Sequence, residues 1–281
     1  MNYARYFQKY SQPLSPLPTG EDPVLKRFGN IEAIVFDIYG TLIISAAGDI
    51  SLAGEASPDS AMDAALEHAG ISLDAASGLE LYRQIIEEHQ AGSLAAGISH
   101  PEVEIREVWK EFVSKFGKGE MSSAKIEEIA IVYECAANPV WPMPELKSVL
   151  EGLRAKGLKL GIVSNAQFYT KYMFPAFLGN TLEELGFDKD LMIYSYKMRE
   201  GKPSRRLYAE LAGKGVSPEN TLYIGNDMLK DVWPSSEEGF RTVLFAGDNR
   251  SLRWRKDDDR LKDCHPDAVI TSLSQIFSLL K

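Results

Sequence analysis

Six short runs along the chain are almost wholly apolar and rich in β-branched residues. They are residues 31–36 (IEAIVF), 159–163 (KLGIV), 191–194 (LMIY), 221–224 (TLYI), 242–245 (TVLF) and 268–271 (AVIT). Runs without strict polar alternation suit strands covered on both faces, as in a parallel sheet. Between them, apolar positions recur at helical spacing. Residues 145–156 place Leu146, Val149, Leu150 and Leu153 on one face, and Gly157 supplies the stop. Residues 205–213 and 230–239 fill the equivalent later gaps. This alternation predicts right-handed crossovers and a doubly wound, mostly parallel α/β sheet of Rossmann-like type. A ligand is then expected at the carboxyl ends of the strands.

One interval breaks the pattern. Residues 46–138 hold no convincing strand, only helical segments at 59–69, 80–90, 101–116 and 123–137. A structureless loop of that length would not suit a compact domain. The expectation is therefore an α/β core, residues 1–45 and 139–281, interrupted by an all-helical domain at 46–138. The return linker, NPVWPMP at 138–144, is proline-rich, as hinges between rigid bodies often are. Residues 1–30 read as an N-terminal arm in which Pro13, Pro16 and Pro18 predict extended chain on the surface.

Composition narrows the function classes. At 281 residues, with 44% hydrophobic and 25% charged positions, the chain is an ordinary globular one. Its net charge of −9 gives no broad reason to seek nucleic acid or an anionic membrane, although a locally positive pocket can still take an anionic small molecule. Cys135 and Cys264 form neither a disulfide framework nor a ligand cluster, which suits a reducing cytoplasm. No run approaches the ~20 apolar residues of a membrane span. The first twenty residues lack the apolar region of a secretion signal. Oligomeric state stays open.

The chemistry-bearing residues follow the strands. After the first comes Asp37-Ile38-Tyr39-Gly40-Thr41, a carboxylate at the end of a buried strand and a tight turn whose N–H groups suit an anion. The second ends in Ser164-Asn165, able to hold an oxyanion. Lys202 follows the third. The fourth runs into Gly225-Asn226-Asp227-Met228-Leu229-Lys230-Asp231. Converging strand ends would gather acids, an amine and a hydroxyl, the groups of a nucleophilic carboxylate, an oxygen-ligated cation and a phosphate clamp.

These four motifs, in this order from residue 31 to about 245 with a helical insertion after the first, resemble the haloacid dehalogenase-like hydrolase superfamily. The resemblance implies that Asp37 is the nucleophile and forms a covalent aspartyl intermediate. It implies that Ser164 binds the transferring group, that Lys202 offsets charge, and that Asp37, the Tyr39 carbonyl and the Asp227/Asp231 pair hold Mg²⁺. Asn226 stands where the family often has its first acidic ligand, so either Asn226 or Asp227 takes that place. The family's phosphatases usually carry Asp at the position of Tyr39, as acid and base. A phenol is a poor base at neutral pH, and such catalysis typically contributes about 10²–10⁴-fold.

The favoured expectation is a Mg²⁺-dependent phosphatase acting on a small phosphorylated metabolite. A metal-independent 2-haloacid dehalogenase is the alternative, since displacing halide needs no protonated leaving group. However, the family's dehalogenases resemble one another in an insertion arginine soon after the nucleophile. The arginines of this insertion, Arg83 and Arg106, are far behind Asp37. A ligand-binding protein without turnover is a third reading.

Other signals point elsewhere. His68 and His89 read as solvated helix residues; His100 precedes Pro101 at a helix start, and a place over the site is the lesser reading of the glycine-containing segment 91–100. Trp109 and Phe112 read as core. The basic stretch 250–256 (RSLRWRK) is followed by Asp257, Asp258 and Asp259 and reads as a solvated loop.

Overall fold

The computed structural model describes residues 2–47 and 58–281, so residues 48–57 of the expected insertion lie outside the described residues. In chain order the strands are β1 (Ala33–Phe36), β2 (Ile43–Ser45), β3 (Val140–Pro142), β4 (Lys159–Ser164), β5 (Phe187–Tyr194), β6 (Thr221–Gly225), β7 (Arg241–Phe245) and β8 (Ala268–Ile270). The six expected strands form one parallel sheet in the order β5-β4-β1-β6-β7-β8. β5 begins at Phe187 rather than residue 191. Asp188, Lys189 and Asp190 look like a break, but this strand is a sheet edge, where charge is tolerated.

The helices are α1 (Ala4–Tyr10), α2 (Pro58–Ala69), α3 (Ala75–Ala95), α4 (Ile105–Ser114), α5 (Ser123–Ala137), α6 (Leu146–Ala155), α7 (Met173–Leu178), α8 (Ser195–Met198), α9 (Arg206–Gly213), α10 (Trp233–Glu237) and α11 (Ile276–Leu279). β1 shows how the core is divided. Ile34 and Phe36 join the larger core with Leu160, Ile162, Leu222 and Ile224, whereas Ala33 and Val35 pack with Leu207, Tyr208 and Leu211 of α9. This is the two-residue period of a strand buried on both faces.

Between β2 and β3, the described residues form only helices, α2 to α5. Side-chain caps start three of them: Asp74 accepts from Ser77 N, Glu104 from Arg106 N, and Ser122 from Lys125 N. α4 begins at Ile105 rather than residue 101, because Pro101 pairs in extended form with Glu200. The return linker is also partly strand. β3 pairs antiparallel with β2, prolines notwithstanding, as a short edge ribbon permits. Asn138 Oδ1 ties the two connections together, accepting from Ser45 Oγ at 2.7 Å and Ala47 N at 3.2 Å.

The N-terminal arm departs from expectation at its start. Its Tyr3/Tyr6/Phe7/Tyr10 spacing is amphipathic, and residues 4–10 form α1 with Phe7 fully buried. α1 is tied to two other helices: Tyr3 Oη donates to Glu127 of α5 at 2.7 Å, and Gln8 Nε2 to the Ala176 carbonyl of α7 at 2.8 Å. The later arm is extended, and Val24 exchanges backbone hydrogen bonds with Val269 of β8.

Phe7→Ala should therefore cost about 3–5 kcal/mol of stability, whereas Leu17→Ala, 47% exposed, should cost within about 0.5 kcal/mol. Urea unfolding of the two variants checks this. Equal midpoints would show that α1 is not part of the cooperative core.

Candidate active site

The ends of β1, β4 and β6 and the loop after β5 converge on a cavity of about 50 Å³. Of the residues expected from sequence, Asp37, Tyr39, Asn165 and Lys202 line it, as do Asn226, Asp227 and Asp231. Gly40, Thr41 and Ser164 are near chain neighbours of this lining rather than part of it.

Lys202 is the hub. Its side chain is 2% exposed, and Nζ donates to Asp37 Oδ1 at 2.8 Å and Asp231 Oδ1 at 2.6 Å. Burial by itself disfavours the ammonium, but the Asp231 and Asp37 carboxylates outweigh it and raise its pKa. Asp231 is also raised, to about 6, by burial first and then by Asp37 and Asp227, against the opposing pull of Lys202. Acid and amine move the same way for different first reasons: burial disfavours the Asp231 carboxylate, whereas at Lys202 the two carboxylates outweigh burial. Asp231 Oδ2 also accepts from Asp227 N at 3.0 Å, and Tyr223 Oη lies 3.0 Å from Oδ1. Gly225 is required here, since a Cβ would collide with the Asp231 carboxylate.

The turn after Asp37 is self-contained. Gly40 N donates to Ile43 O at 2.7 Å and Thr41 N to Ile38 O at 3.2 Å, so these N–H groups are not the free donors expected from sequence. Gly40 has φ +83°, and a Cβ would sit 2.5 Å from Ser251 Cβ and 2.9 Å from Asn226 Cγ. The buried Thr41 hydroxyl donates to Asn226 Oδ1 at 3.0 Å, and Asn226 Nδ2 donates to Ser251 O at 2.7 Å. Ser164 Oγ, by contrast, is buried without a hydrogen-bond partner among the described residues. An orphaned hydroxyl beside the cavity-lining Asn165 is a donor still to be used.

Tyr39 Oη lies 3.0 Å from Thr170 Oγ1. Burial, then the Glu134 carboxylate, raises its pKa well above 10, so it keeps its proton at neutral pH. Asp227 is fully engaged: its carboxylate accepts from Leu229 N and Lys230 N, and Arg255 grips it at 2.6 Å. The turn after it is a π-helix over Met228–Val232 followed by α10, not the single helix expected over 230–239.

Sequence reasoning missed Lys230, which lines the cavity, and Arg255. The 250–256 stretch is not merely a solvated loop. Arg253 N donates to Asn226 O at 2.9 Å, and its carbonyl accepts from Met228 N at 2.9 Å. Asp258 pairs with Arg260 and leaves Arg255 to Asp227. His68 and His89 are paired rather than simply solvated, at 3.2 Å from Glu128 and 3.0 Å from Glu111. The His100 carbonyl accepts from Gly201 N at 2.8 Å, directly before Lys202. Trp109 and Phe112 are fully buried, as their spacing indicated.

The cavity's acids and amide present the hard oxygens that Mg²⁺ prefers. Among the described residues no three His, Cys, Asp or Glu side chains converge on one point. The donor set is thus two carboxylates joined by Lys202, with an amide and a carbonyl available, and its chemistry fits one such ion.

A family model of haloacid dehalogenase-like hydrolases matches residues 31–233. The chain belongs to that family. It is a hydrolase. Among curated relatives, the glyceraldehyde 3-phosphate phosphatase of Methanopyrus kandleri is 27% identical over 236 residues, 82% of this chain and 90% of the relative. The protein so named in Methanocaldococcus jannaschii is 28% identical over 144 residues, 50% of this chain and 57% of the relative. A 2-haloacid dehalogenase structure from Pseudomonas syringae has a TM-score of 0.58 at 22% identity, covering 89% of this chain and 97% of that one. A phosphatase of the same family from Thermococcus onnurineus has a TM-score of 0.53 at 20% identity, with 88% and 96% covered. At these identities the two structures speak for the shared haloacid dehalogenase-like fold.

With its pKa pushed up to about 6 in the folded protein, above the ordinary aspartate value of about 4, Asp231 holds an extra proton in the folded state across that window. The sign follows: its contribution to stability is greatest at the acid end and falls as pH rises from about 4 to about 6. In chelator, the Tm of wild type minus that of Asp231→Asn should decrease through this window. A difference flat in pH would contradict the assignment.

Proposed function

We propose that this hydrolase is a Mg²⁺-dependent phosphatase acting on a small phosphorylated metabolite through an Asp37 aspartyl-phosphate. The observation that carries the reading is the buried Asp37–Lys202–Asp231 array. Its carboxylates exceed its single ammonium in a cavity of about 50 Å³, an arrangement that accepts a divalent cation beside a nucleophile. The relatives named glyceraldehyde 3-phosphate phosphatase support the phosphoryl chemistry and make a phosphorylated three-carbon aldehyde the first substrate to test.

In this reading, Lys202 holds Asp37 Oδ1, which leaves Oδ2 to attack phosphorus. A P–O bond to Asp37 forms as the P–O bond to the substrate alcohol breaks, and the departing alkoxide takes a proton from water. The hydroxide left behind then attacks phosphorus of the aspartyl-phosphate, releasing hydrogen phosphate and restoring the carboxylate. Ser164 Oγ donates to a phosphoryl oxygen and Asn165 holds the loop of Lys202, accepting from its N–H at 2.8 Å. Asp37, the Tyr39 carbonyl, Asn226 and Asp231 would hold Mg²⁺. Asp227 serves them by shaping the turn, its charge met by Arg255. When bound, the ion supplies charge neutralisation of the phosphoryl oxygens. Tyr39, neutral and bonded to Thr170, walls the cavity and serves as no base.

Tyr39 also suits a 2-haloacid dehalogenase, the second reading. Against it, the insertion's Arg106 is committed to Glu104 and Glu127 rather than to the cavity.

Phosphate release from glyceraldehyde 3-phosphate or an aryl phosphate should require Mg²⁺, stop in chelator, and fall at least about 10³-fold in Asp37→Asn. Chloride release from 2-chloropropionate, indifferent to chelator, would replace this reading with the dehalogenase. Binding of a phosphate ester with neither product would favour a binding protein.

A further inference from the structure

One segment of the helical insertion, residues 100–105, is bonded to both catalytic loops at once. His100 O accepts from Gly201 N at 2.8 Å, and Glu102 N donates to Arg199 O at 3.2 Å, which seats the segment on the chain leading into Lys202. Beside it, Gln167 Oε1 accepts from Ile105 N at 3.1 Å, and Gln167 Nε2 donates to Val103 O at 2.8 Å, which seats it on the loop that follows Ser164 and Asn165.

Glu102 joins the two. Its carboxylate accepts from Ser195 Oγ at 2.9 Å and from Gln167 Nε2 at 3.3 Å. Ser195 Oγ in turn accepts from Ala166 N at 3.0 Å, next to Asn165, whose Oδ1 accepts from Lys202 N at 2.8 Å. A chain of hydrogen bonds, joined by the Asn165–Ala166 peptide link, therefore runs from the insertion, through Ser195 and the Ser164 loop, to the backbone of Lys202. Glu102 is not in the lining of the catalytic cavity.

We propose that Glu102 is a positioning residue that couples docking of the insertion to alignment of the Ser164–Asn165 loop with Lys202. The hydrolase is then fully assembled only when segment 100–105 is seated. Displacing catalytic groups by about 1 Å can cost 10²-fold in rate, so a bond of this kind acts on turnover more than on substrate binding. The inference rests on the phosphatase reading for its kinetic readout only.

The test compares Glu102→Gln, whose amide N–H must face one of the donors that the carboxylate now accepts from, and Ser195→Ala, which removes the hydroxyl, with Glu107→Gln. The last removes the exposed Arg199–Glu107 side-chain pair from the same seam but leaves the backbone bonds at Arg199 and Gly201 and the Glu102–Ser195 bond in place. Phosphate release should show kcat lower by about 10- to 100-fold in the first two, KM nearly unchanged, and Glu107→Gln close to wild type. If Glu102→Gln does not fold, Ser195→Ala carries the comparison. Unchanged kcat in the variants that fold, or a loss shared equally by Glu107→Gln, overturns the proposal. Should the wild type hydrolyse no phosphate ester, the phosphatase reading fails, and amide hydrogen exchange decides the coupling. Faster exchange at Ala166 and Gly201 in Glu102→Gln than in Glu107→Gln supports it, and equal exchange refutes it.

Discussion

The molecule is organised around one buried ammonium. Lys202 loses its water on entering the interior, and only the carboxylates of Asp37 and Asp231, at 2.8 and 2.6 Å, make that acceptable. Each partner comes from a different strand end, so the sheet must bring β1, β6 and the loop after β5 into register before the charges can meet. The dependence runs the other way as well. Removing either carboxylate would leave Lys202 buried and undercompensated. Gly225 exists in that form because the Asp231 carboxylate packs directly on its backbone.

Around this hub the remaining groups divide into those with spent and those with unspent hydrogen-bonding capacity. Asp227 is consumed by its own turn and by Arg255, and Thr41 by Asn226. Ser164 Oγ is buried with no bond to any described residue. A site whose acids are partly neutralised, yet which holds an orphaned hydroxyl, is built to receive something polar. The docked segment 100–105 closes this arrangement from the side of the insertion, so a part of the chain distant in sequence takes part in holding the catalytic loops.

Much of the fold was legible because burial on both faces leaves a plain trace. The strands of the sheet are apolar runs, and their order of appearance implies the crossovers. Where polar residues intervene for a local reason, the trace fades: Asp188–Asp190 are tolerated because β5 is an edge. The prolines of 138–144 are no sign of the short antiparallel ribbon they join, and those at 13, 16 and 18 follow, rather than break, the amphipathic turn around Phe7. At the site, the acids and Lys202 stood out because a charged residue ending a buried strand is costly without a purpose. Arg255 did not. Summed charge over 250–259 is close to balanced, and nothing in a sum says that Arg255 pairs with Asp227 while Asp258 pairs with Arg260.

By itself, then, the sequence determined the class of sheet, the position of the helical interval and the residue types that meet at the strand ends, because these follow from periodicity and from the cost of burying charge. Tertiary structure alone decided which groups are already satisfied: that the Gly40 and Thr41 amides turn inward, that Tyr39 keeps its proton beside Thr170, and that Glu102 reaches Ser195. The reason is physical. Hydrogen bonds and pKa shifts depend on partners within a few ångströms, and across a distance of 93 residues, as between Glu102 and Ser195, spacing along the chain carries no such information.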